Sequence, residues 1–514
     1  MKVPRTFTIV AIILASLAVL VAWAVPITSA RARRAVIEEL SARLDSTVGL
    51  ESFEIRVLPR LRAAGTGLTI HHKGRRDVPP LISIRRFTVT GSVLGLLRGH
   101  ATRMTIEGLD IQIPPDRKFD RDRKEEPQAI SSFVIDELVS VDARLAILPR
   151  EAGRRGKVWN IHHLRMLSVG NESMPFEATL TNAIPPGEIQ TRGNFGPWDA
   201  EDPGQTPLDG SFLFEQADLS VFKGISGTLS AQGSFDGALG RIDVQGETNT
   251  PDFTVTIGGQ PVPLHTRYRA TVDGTNGDTI LDQIDGSFLD TSLRARGRVT
   301  QTPGVEGRTV QLDVTMDEAR IEDVLRLAVK AERPMVGALT LETELALPPG
   351  DRDVVDKLQL DGRFTLTDAT FTNVDVRMKI AELSQRSRGR KPDGRSARVS
   401  SDFNGTFKLA NGRLRIPAVS FDVPGAAVRL AGTYDLRGEE LDFRGTLFTD
   451  VKVSEMTSGI KSLLLKMLDP LFGRDGGGSA IPIRVAGTRN DPSFGLDKQR
   501  VFSSDAKAPE PALR

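Results

Sequence analysis

The sequence predicts a mainly β protein built from one long antiparallel sheet with an apolar face and a polar face. Apolar and polar residues alternate with a period of two over many short segments, which places successive side chains on opposite faces of a strand. Turn pairs such as Asn411-Gly412 separate these segments at short intervals. Only a few stretches show the 3.6-residue period of an amphipathic helix. We therefore expect a meandering sheet with few helices.

Composition limits the classes of function. The chain has 514 residues, with 67 Lys and Arg against 66 Asp and Glu. This length predicts several globular domains or one elongated one. Balanced charge argues against bulk attraction to nucleic acid, and an aromatic content of 5% leaves few rings for stacking on bases. The absence of cysteine excludes disulfides and thiolate metal sites, and it is compatible with an oxidising compartment.

Residues 1–30 predict a transmembrane anchor. Residues 7–25 are nearly all Ile, Leu, Val and Ala, and no charge occurs from Thr6 to Ala30. This run reaches the length of about 20 residues that a spanning helix needs and exceeds the apolar core of about 7–15 residues in a signal peptide. Ala22-Trp23-Ala24 resembles a cleavage site, so a signal peptide is the alternative. Positive residues flank both ends, so they do not fix the orientation. The anchor residues are Phe7, Ile9, Ile12, Ile13, Leu14, Leu17, Leu20 and Trp23.

The next segments predict a helix, strands and a loop. Residues 31–115 begin with a helix over 31–44, in which Val36, Leu40 and Leu44 recur every four positions. Short strands follow it as far as Pro114-Pro115. Residues 116–127 are almost all charged and predict an exposed loop.

Residues 128–385 predict a central β region in which glycines punctuate short strands, with one helix over 321–331. A basic loop over 386–398 follows it. Such a loop could contact anionic lipid headgroups, but charged loops are more often plain solvated surface. Its cationic residues are Arg386, Arg388, Arg390, Lys391, Arg395 and Arg398.

Residues 399–502 predict a carboxyl-terminal β region that contains an amphipathic helix over 455–472. This helix would pack on the sheet or lie on a membrane surface. Residues 503–514 predict a disordered tail.

The clearest alternation, over 402–449, defines the candidate functional surface. Its apolar residues share a parity within each strand, so we expect them to lie on one face and to line a groove. A bulge at Gly432 or Gly445 could move part of a strand to the other face. The candidate groove residues are Phe403, Phe407, Leu414, Ile416, Val419, Phe421, Val423, Val428, Leu430, Leu441, Phe443 and Leu447.

Motifs of catalysis and metal binding are missing from the sequence. It has no G-x-S-x-G, no Walker A loop and no H-E-x-x-H. The adjacent pairs His71-His72 and His162-His163 would point to opposite faces of a strand and chelate poorly. Carboxylates are scattered over turns and polar faces, although a pair could still meet in space. We therefore expect no enzyme activity, no metal and no cofactor.

The order of the segments resembles the AsmA-like family. At the amino terminus it is similar in the succession of membrane helix, amphipathic helix and strands that include Leu68-Thr69-Ile70 and Ile106-Glu107-Gly108. In the middle it is similar in Gly193-Asn194-Phe195 and Gly227-Thr228-Leu229, and near the end in Ile481-Pro482-Ile483. The likeness covers most of the chain, and the order of these short motifs gives it its strength.

The resemblance implies a single-pass protein of the bacterial inner membrane with most of its chain in the periplasm. It also implies an elongated, twisted, U-shaped sheet with a hydrophobic concave face, and a role in phospholipid transport and outer-membrane biogenesis. An apolar sheet face must be covered by helices, by a second sheet or by a ligand, and the predicted helices are few. The expected partners are a phospholipid or other acyl-chain lipid, the inner membrane and envelope proteins, without nucleic acid.

Three alternatives stay open. The chain could be an envelope assembly or structural factor that carries no lipid. A β-rich hydrolase acting on polysaccharide is disfavoured by the missing motifs. A secreted β-solenoid adhesin would require cleavage after Ala24.

Overall fold

A computed structural model describes fifteen main ranges of the chain. These are residues 27–28, 30–43, 46–56, 61–72, 82–92, 100–113, 134–147, 157–170, 173–197, 202–302, 307–329, 335–390, 399–456, 478–489 and 491–497, with residues 80, 95, 199, 304–305 and 499–500. The anchor predicted over 7–25, the loop 116–127, the tail 503–514 and the predicted helix beyond Met456 lie outside them. Within these ranges no helix has the length and apolarity needed to cross a membrane.

The described part of the chain is dominated by strands that follow one another at short intervals. The first group is β1 (Ile27–Thr28), β2 (Ser46–Gly49), β3 (Ser52–Arg56), β4 (Leu61–His72), β5 (Ile82–Gly91), β6 (His100–Ile113), β7 (Val134–Ile147), β8 (Lys157–Val169) and β9 (Met174–Ala183). The second group is β10 (Pro186–Phe195), β11 (Pro207–Asp218), β12 (Ile225–Ser226), β13 (Thr228–Ala238), β14 (Arg241–Val255), β15 (Val262–Val272), β16 (Thr279–Phe288), β17 (Thr291–Thr300) and β18 (Thr309–Arg320). The third group is β19 (Met335–Leu347), β20 (Gln359–Phe371), β21 (Ser401–Ala410), β22 (Arg413–Val423), β23 (Ala426–Asp435), β24 (Glu440–Thr449), β25 (Ser479–Thr488) and β26 (Pro492–Leu496).

Nearly all neighbouring strands pair in chain order and antiparallel, which confirms the predicted mainly β meander. Three short strands deviate: β1 pairs with β3, β2 with β4 and β12 with β14. The expectation of antiparallel pairing throughout is wrong for β6 and β7, which pair in parallel from His100 opposite Val134. A connection of about 20 residues between them is long enough for the chain to return to the end of the sheet where β6 began.

Helices are few. They are α1 (Ala30–Arg43), α2 (Ile321–Ala328), the single turn α3 (Val354–Lys357) and α4 (Val374–Arg386), with short 3-10 helices at Pro203–Gln205, Leu219–Val221 and Val453–Met456. The helix predicted over 31–44 is confirmed by α1, and the one over 321–331 is confirmed in shorter form by α2.

Helix α4 corrects the assignment of residues 128–385 to β structure. Val374, Val376, Met378 and Ile380 recur every second residue, as in a strand, but the chain is helical there. The basic loop predicted over 386–398 also begins differently, because Arg386 is the last residue of α4. Residues 391–398 lie outside the described ranges.

The sheet curls into a half-barrel. Along β10 and β17, exposed residues of the polar face alternate with less exposed residues of the opposite face. On β17, for example, Arg294 and Arg296 are exposed whereas Leu293 and Ala295 are partly or fully buried. The apolar face is therefore the concave one.

Three helices pack on the apolar face. Val36 and Leu40 of α1 contact a cluster that includes Leu68 and Phe87. Ile321 and Val324 of α2 pack against a second apolar cluster, and Ile380 and Leu383 of α4 pack against a third. Complete burial of such an aliphatic side chain is worth about 1.5–3 kcal/mol, so the helices stabilise the ends of the strands that they cover.

Three strands end in the same kind of β-bulge. In β11, β18 and β20 a bulge shifts the register just before the strand ends. In each bulge a residue with φ near +54° precedes a completely buried alanine. The pairs are Gln216-Ala217, Glu318-Ala319 and Asp368-Ala369. After each bulge the chain enters the 3-10 helix Leu219–Val221, α2 or α4. The bulge redirects the strand, and the alanine at the turning point is completely buried.

Candidate functional site

The twelve candidate groove residues all lie on the concave apolar face. Residues directly opposite each other on neighbouring strands share a face, and Phe403 opposes Phe421, which opposes Val428, which opposes Leu447. The register places the other members on the same face: Phe407, Leu414, Ile416, Val419, Val423, Leu430, Leu441 and Phe443.

A bulge in β22 keeps the apolar face continuous, and it lies at neither of the glycines considered from the sequence. The register of β22 shifts between Ile416 and Val419. This shift moves the apolar positions from even to odd numbers, so both residues remain on the concave face. Pairing between β23 and β24 runs without a shift through Gly432 and Gly445. A bulge at either glycine is therefore excluded.

Aromatic rings form part of the floor. Phe403 and Phe421 stack with their centroids 4.6 Å apart, and Phe364 and Phe407 lie 6.3 Å apart. Such pairs add about 0.5–1.5 kcal/mol beyond their buried area. The rings therefore bind adjacent strands together at the groove surface.

Rings also cover glycines. A Cβ atom at Gly432 would lie 2.6 Å from Cδ1 of Phe443, and one at Gly210 would lie 2.7 Å from Cζ of Phe235. A ring laid over a neighbouring glycine in this way shields its backbone from water. The glycines are therefore part of the floor and not breaks in it.

Exposure divides the twelve residues into two groups. Phe407, Val423, Val428 and Leu447 are buried, and the other eight are half-buried. Helix α4 explains part of the burial, because Ile380 and Leu383 pack in one cluster with Val423, Val428 and Leu447. Phe421 and Leu430 contact the same cluster. The chain itself therefore covers this end of the face, against the expectation that its helices leave the face open.

The groove is much longer than the predicted stretch. One row of directly opposed residues crosses 24 of the described strands on the apolar face, and it contains no charged residue. At about 4.8 Å per strand, the row measures on the order of 110 Å. Its members, from β1 to β26, are Ile27, Ile55, Ala63, Val89, Met104, Leu138, Met166, Phe176, Gly193, Gly210, Phe235, Val244, Ala270, Leu281, Gly297, Leu312, Leu345, Leu360, Leu409, Leu414, Tyr434, Leu441, Gly487 and Pro492. We call this set the apolar row.

The row next to it, on the other face, is entirely polar over β9 to β16. Its members are Glu177, Arg192, Ser211, Ser234, Gln245, Arg269 and Gln283. Adjacent residues of each strand therefore differ in polarity, because they point to opposite faces of the sheet.

Ion pairs between strands occupy the polar face. Arg165 donates to Glu137 at 2.8 Å, and Arg484 donates to Asp442 at 2.9 Å. The hydrogen bond from Arg165 lowers the pKa of Glu137, and the hydrogen bond to Asp442 raises the pKa of Arg484. Ion pairs as exposed as these contribute little to stability, and their charged groups keep the polar face hydrated.

The polar face carries a hollow. A shallow hollow of about 980 Å³ spans β11 to β18 and is lined largely by polar-face residues such as Glu247, Arg267 and Asp285. Glu247 is paired with Arg267. Across the described ranges, no group of His, Asp and Glu side chains is arranged to hold a metal ion.

The alternation is clearest over 402–449, so the predicted groove is confined to that stretch. Upstream, glycines occupy positions on the apolar face: Gly193, Gly210 and Gly297 each lie inside a strand and on the apolar row. Counting the parity through each glycine, instead of stopping at it, would have revealed the longer face.

Comparisons of the chain with known protein families, curated proteins and solved structures find no match.

Proposed function

We propose that this protein binds lipid acyl chains along its apolar groove and supports phospholipid transport between the inner and outer membranes of a bacterial envelope. In this proposal residues 1–30 anchor it in the inner membrane and most of the chain lies in the periplasm. The single observation that supports it most is the apolar row, which runs along a concave face for on the order of 110 Å.

The energetics favour an acyl chain as the ligand. Each methylene group that leaves water gains about 0.8 kcal/mol. Leu414, Val419 and Phe443 lie outside the clusters that the helices cover, and they are half-buried, so they offer such a surface. A polar ligand would find no hydrogen-bonding partner among these side chains.

The apolar character of the row suits movement as well as binding. An acyl chain that shifts by one strand exchanges apolar contacts for other apolar contacts. No step breaks a hydrogen bond or an ion pair. Passive diffusion along the groove therefore requires no catalytic group.

Photo-crosslinking from the groove tests the proposal. A photoreactive residue at Leu414 or Phe443 is expected to form lipid adducts, and one at Arg415 or Arg444 on the polar face is not. Mass spectrometry of the adducts identifies the ligand. Equal adducts at all four positions, or none at the first pair, would overturn the proposal.

The packing of α4 favours a second candidate, an envelope assembly or structural factor without lipid. Because α4 already covers Val423, Val428 and Leu447, the chain fills part of its own groove. Protein adducts in place of lipid adducts at Phe443, with a lipid-free purified protein, would support that alternative.

A further inference from the structure

Strand ends alternate between two rims of the sheet. The rim that we call A carries the connections 218–228, 320–335 and 371–401, and the opposite rim B carries 238–241, 347–359 and 435–440. Connections on one rim neighbour each other along the sheet. A contact between the rims has to cross one of its faces.

One such contact joins the connection after β11 to the connection after β19. The N–H of Val354 on rim B donates to the carbonyl oxygen of Lys223 on rim A at 2.6 Å. Gly224 has φ +100° and lies against Asp353, because a Cβ atom at this glycine would clash with Oδ1 of Asp353. We call residues 223–224 and 353–354 the clasp.

The twist of the sheet explains how opposite rims meet. Seven strands, β13 to β19, separate the two halves of the clasp. At about 20–25° per strand, they turn the sheet through roughly 150°, which brings rim B of β19 to the side of rim A of β13. Curling towards the apolar face then closes the gap. The clasp therefore crosses the mouth of the groove above β14 to β17.

Both halves of the clasp are held by neighbouring residues on their own rim. On rim A, the carbonyl oxygen of Gly224 accepts a hydrogen bond from the N–H of Thr256 at 2.9 Å. On rim B, Asp353 accepts a hydrogen bond from the N–H of Val355 at 2.9 Å and pairs with Arg437 at 3.1 Å. Arg437 also donates to both carboxylate oxygens of Asp356 at 2.9 Å. The link across the mouth is the main-chain hydrogen bond from Val354 to Lys223, so the clasp would open there.

We infer that the clasp is a gate that a lipid with a polar headgroup passes only when the link from Val354 to Lys223 opens. This inference rests on the proposed function. A lipid whose acyl chains lie in the groove keeps its headgroup in water at the mouth. Main chain across the mouth obstructs the headgroup, although acyl chains can lie beneath it. The closed clasp thus excludes phospholipid from β14 to β17 and leaves the groove beyond β20 accessible.

A disulfide across the clasp tests the gate. The main chains of Lys223 and Val354 are in direct hydrogen-bond contact, which makes the pair a candidate for a disulfide, whose Cα atoms lie about 4.4–6.8 Å apart. The chain has no cysteine, so the double variant Lys223→Cys/Val354→Cys forms no competing pair. Photoreactive phenylalanine replaces Tyr268 on β15, below the clasp, or Phe443 on β24, beyond it. The full-length protein is mixed with vesicles of phosphatidylethanolamine and phosphatidylglycerol.

Oxidation is expected to abolish the phospholipid adduct at Tyr268 and to leave the adduct at Phe443 unchanged, and reduction should restore the first. An unchanged adduct at Tyr268 in the oxidised protein would refute the gate. Absence of adducts at both positions in both redox states would instead refute the lipid groove. The reduced form of the same variant controls for folding.

Two glycine substitutions test whether weakening the clasp opens the gate. Gly224→Val drives a side chain into Asp353 and should raise the adduct at Tyr268. Gly350→Val is the matched control, because Gly350 also has positive φ, +108°, but nothing lies within 4 Å of its Cβ position. Equal adduct yields in the two variants would overturn the inference.

Discussion

A charge placed on the apolar row should block the ligand more than it harms the fold. Leu414 is half-buried, lies on the row between Leu409 and Tyr434, and belongs to none of the clusters that the helices cover. Complete burial of a leucine is worth about 1.5–3 kcal/mol, so Leu414→Glu should lower the free energy of unfolding by only about 1 kcal/mol. The new carboxylate can remain hydrated, because the side chain at position 414 is partly exposed.

The effect on the ligand should be larger. An acyl chain lying over Glu at position 414 would strip water from a carboxylate, which costs about 3 kcal/mol or more. At about 1.4 kcal/mol per factor of ten, occupancy of that position falls by about 100-fold or more. The measurement is the yield of lipid adduct from a photoreactive residue at Phe443, and urea unfolding is followed in parallel.

The matched control is Arg415→Glu, one residue away on the polar face, where the side chain is exposed. It should leave the adduct yield unchanged. If Leu414→Glu unfolds normally and still yields the wild-type amount of adduct, the apolar row does not carry the ligand. If Arg415→Glu lowers the yield equally, the loss reflects charge in general and not the groove.

Ala319→Leu should lower the free energy of unfolding by about 1–3 kcal/mol, because the alanine side chain is fully buried at a bulge. The control Ala431→Leu, on the exposed face, should change it by less than about 0.5 kcal/mol. Equal urea midpoints for the two variants would contradict a lack of space at position 319. Gly432→Val should lower the thermal midpoint, because its Cβ would displace the ring that covers this glycine. The hydrogen bond from Arg437 lowers the pKa of Asp356, so this pair stabilises the fold above the unfolded pKa of about 3.9, and the stabilisation disappears as the pH falls through the lower folded value. The difference in midpoint between wild type and Arg437→Gln should therefore be constant from neutral pH to about pH 5 and should vanish in strong acid; a difference that is already lost near pH 6 would refute this assignment.

The period of two predicted the β class and the shared face of the twelve groove residues, because a residue's parity fixes its side of a strand whatever the tertiary context. It could not predict the bulge between Ile416 and Val419. The change from even to odd apolar positions marks that bulge in the sequence. Gly432 and Gly445 were candidate bulge positions only because they are glycines, and the pairing runs unbroken through both.

Long-range features escaped prediction for a different reason. The parallel pairing of β6 with β7 depends on where the connecting segment returns the chain, and no local pattern encodes that position. The contact between Lys223 and Val354 depends on twist accumulated over seven strands. Helix α4 was missed because its apolar residues happen to alternate, so the local pattern and the packing on the sheet disagree.

The apolar row also changes in side-chain size along its length. From β18 to β22 every member is leucine, whereas β10, β11 and β17 contribute glycine and β15 contributes alanine. The glycines do not open holes in the floor, because neighbouring groups occupy the space beside them. A Cβ atom at Gly210 would meet the ring of Phe235, and one at Gly297 would meet the main-chain oxygen of Gln311. The apolar floor is therefore continuous through positions where the residue on the row has no side chain, which is why glycine is compatible with the groove.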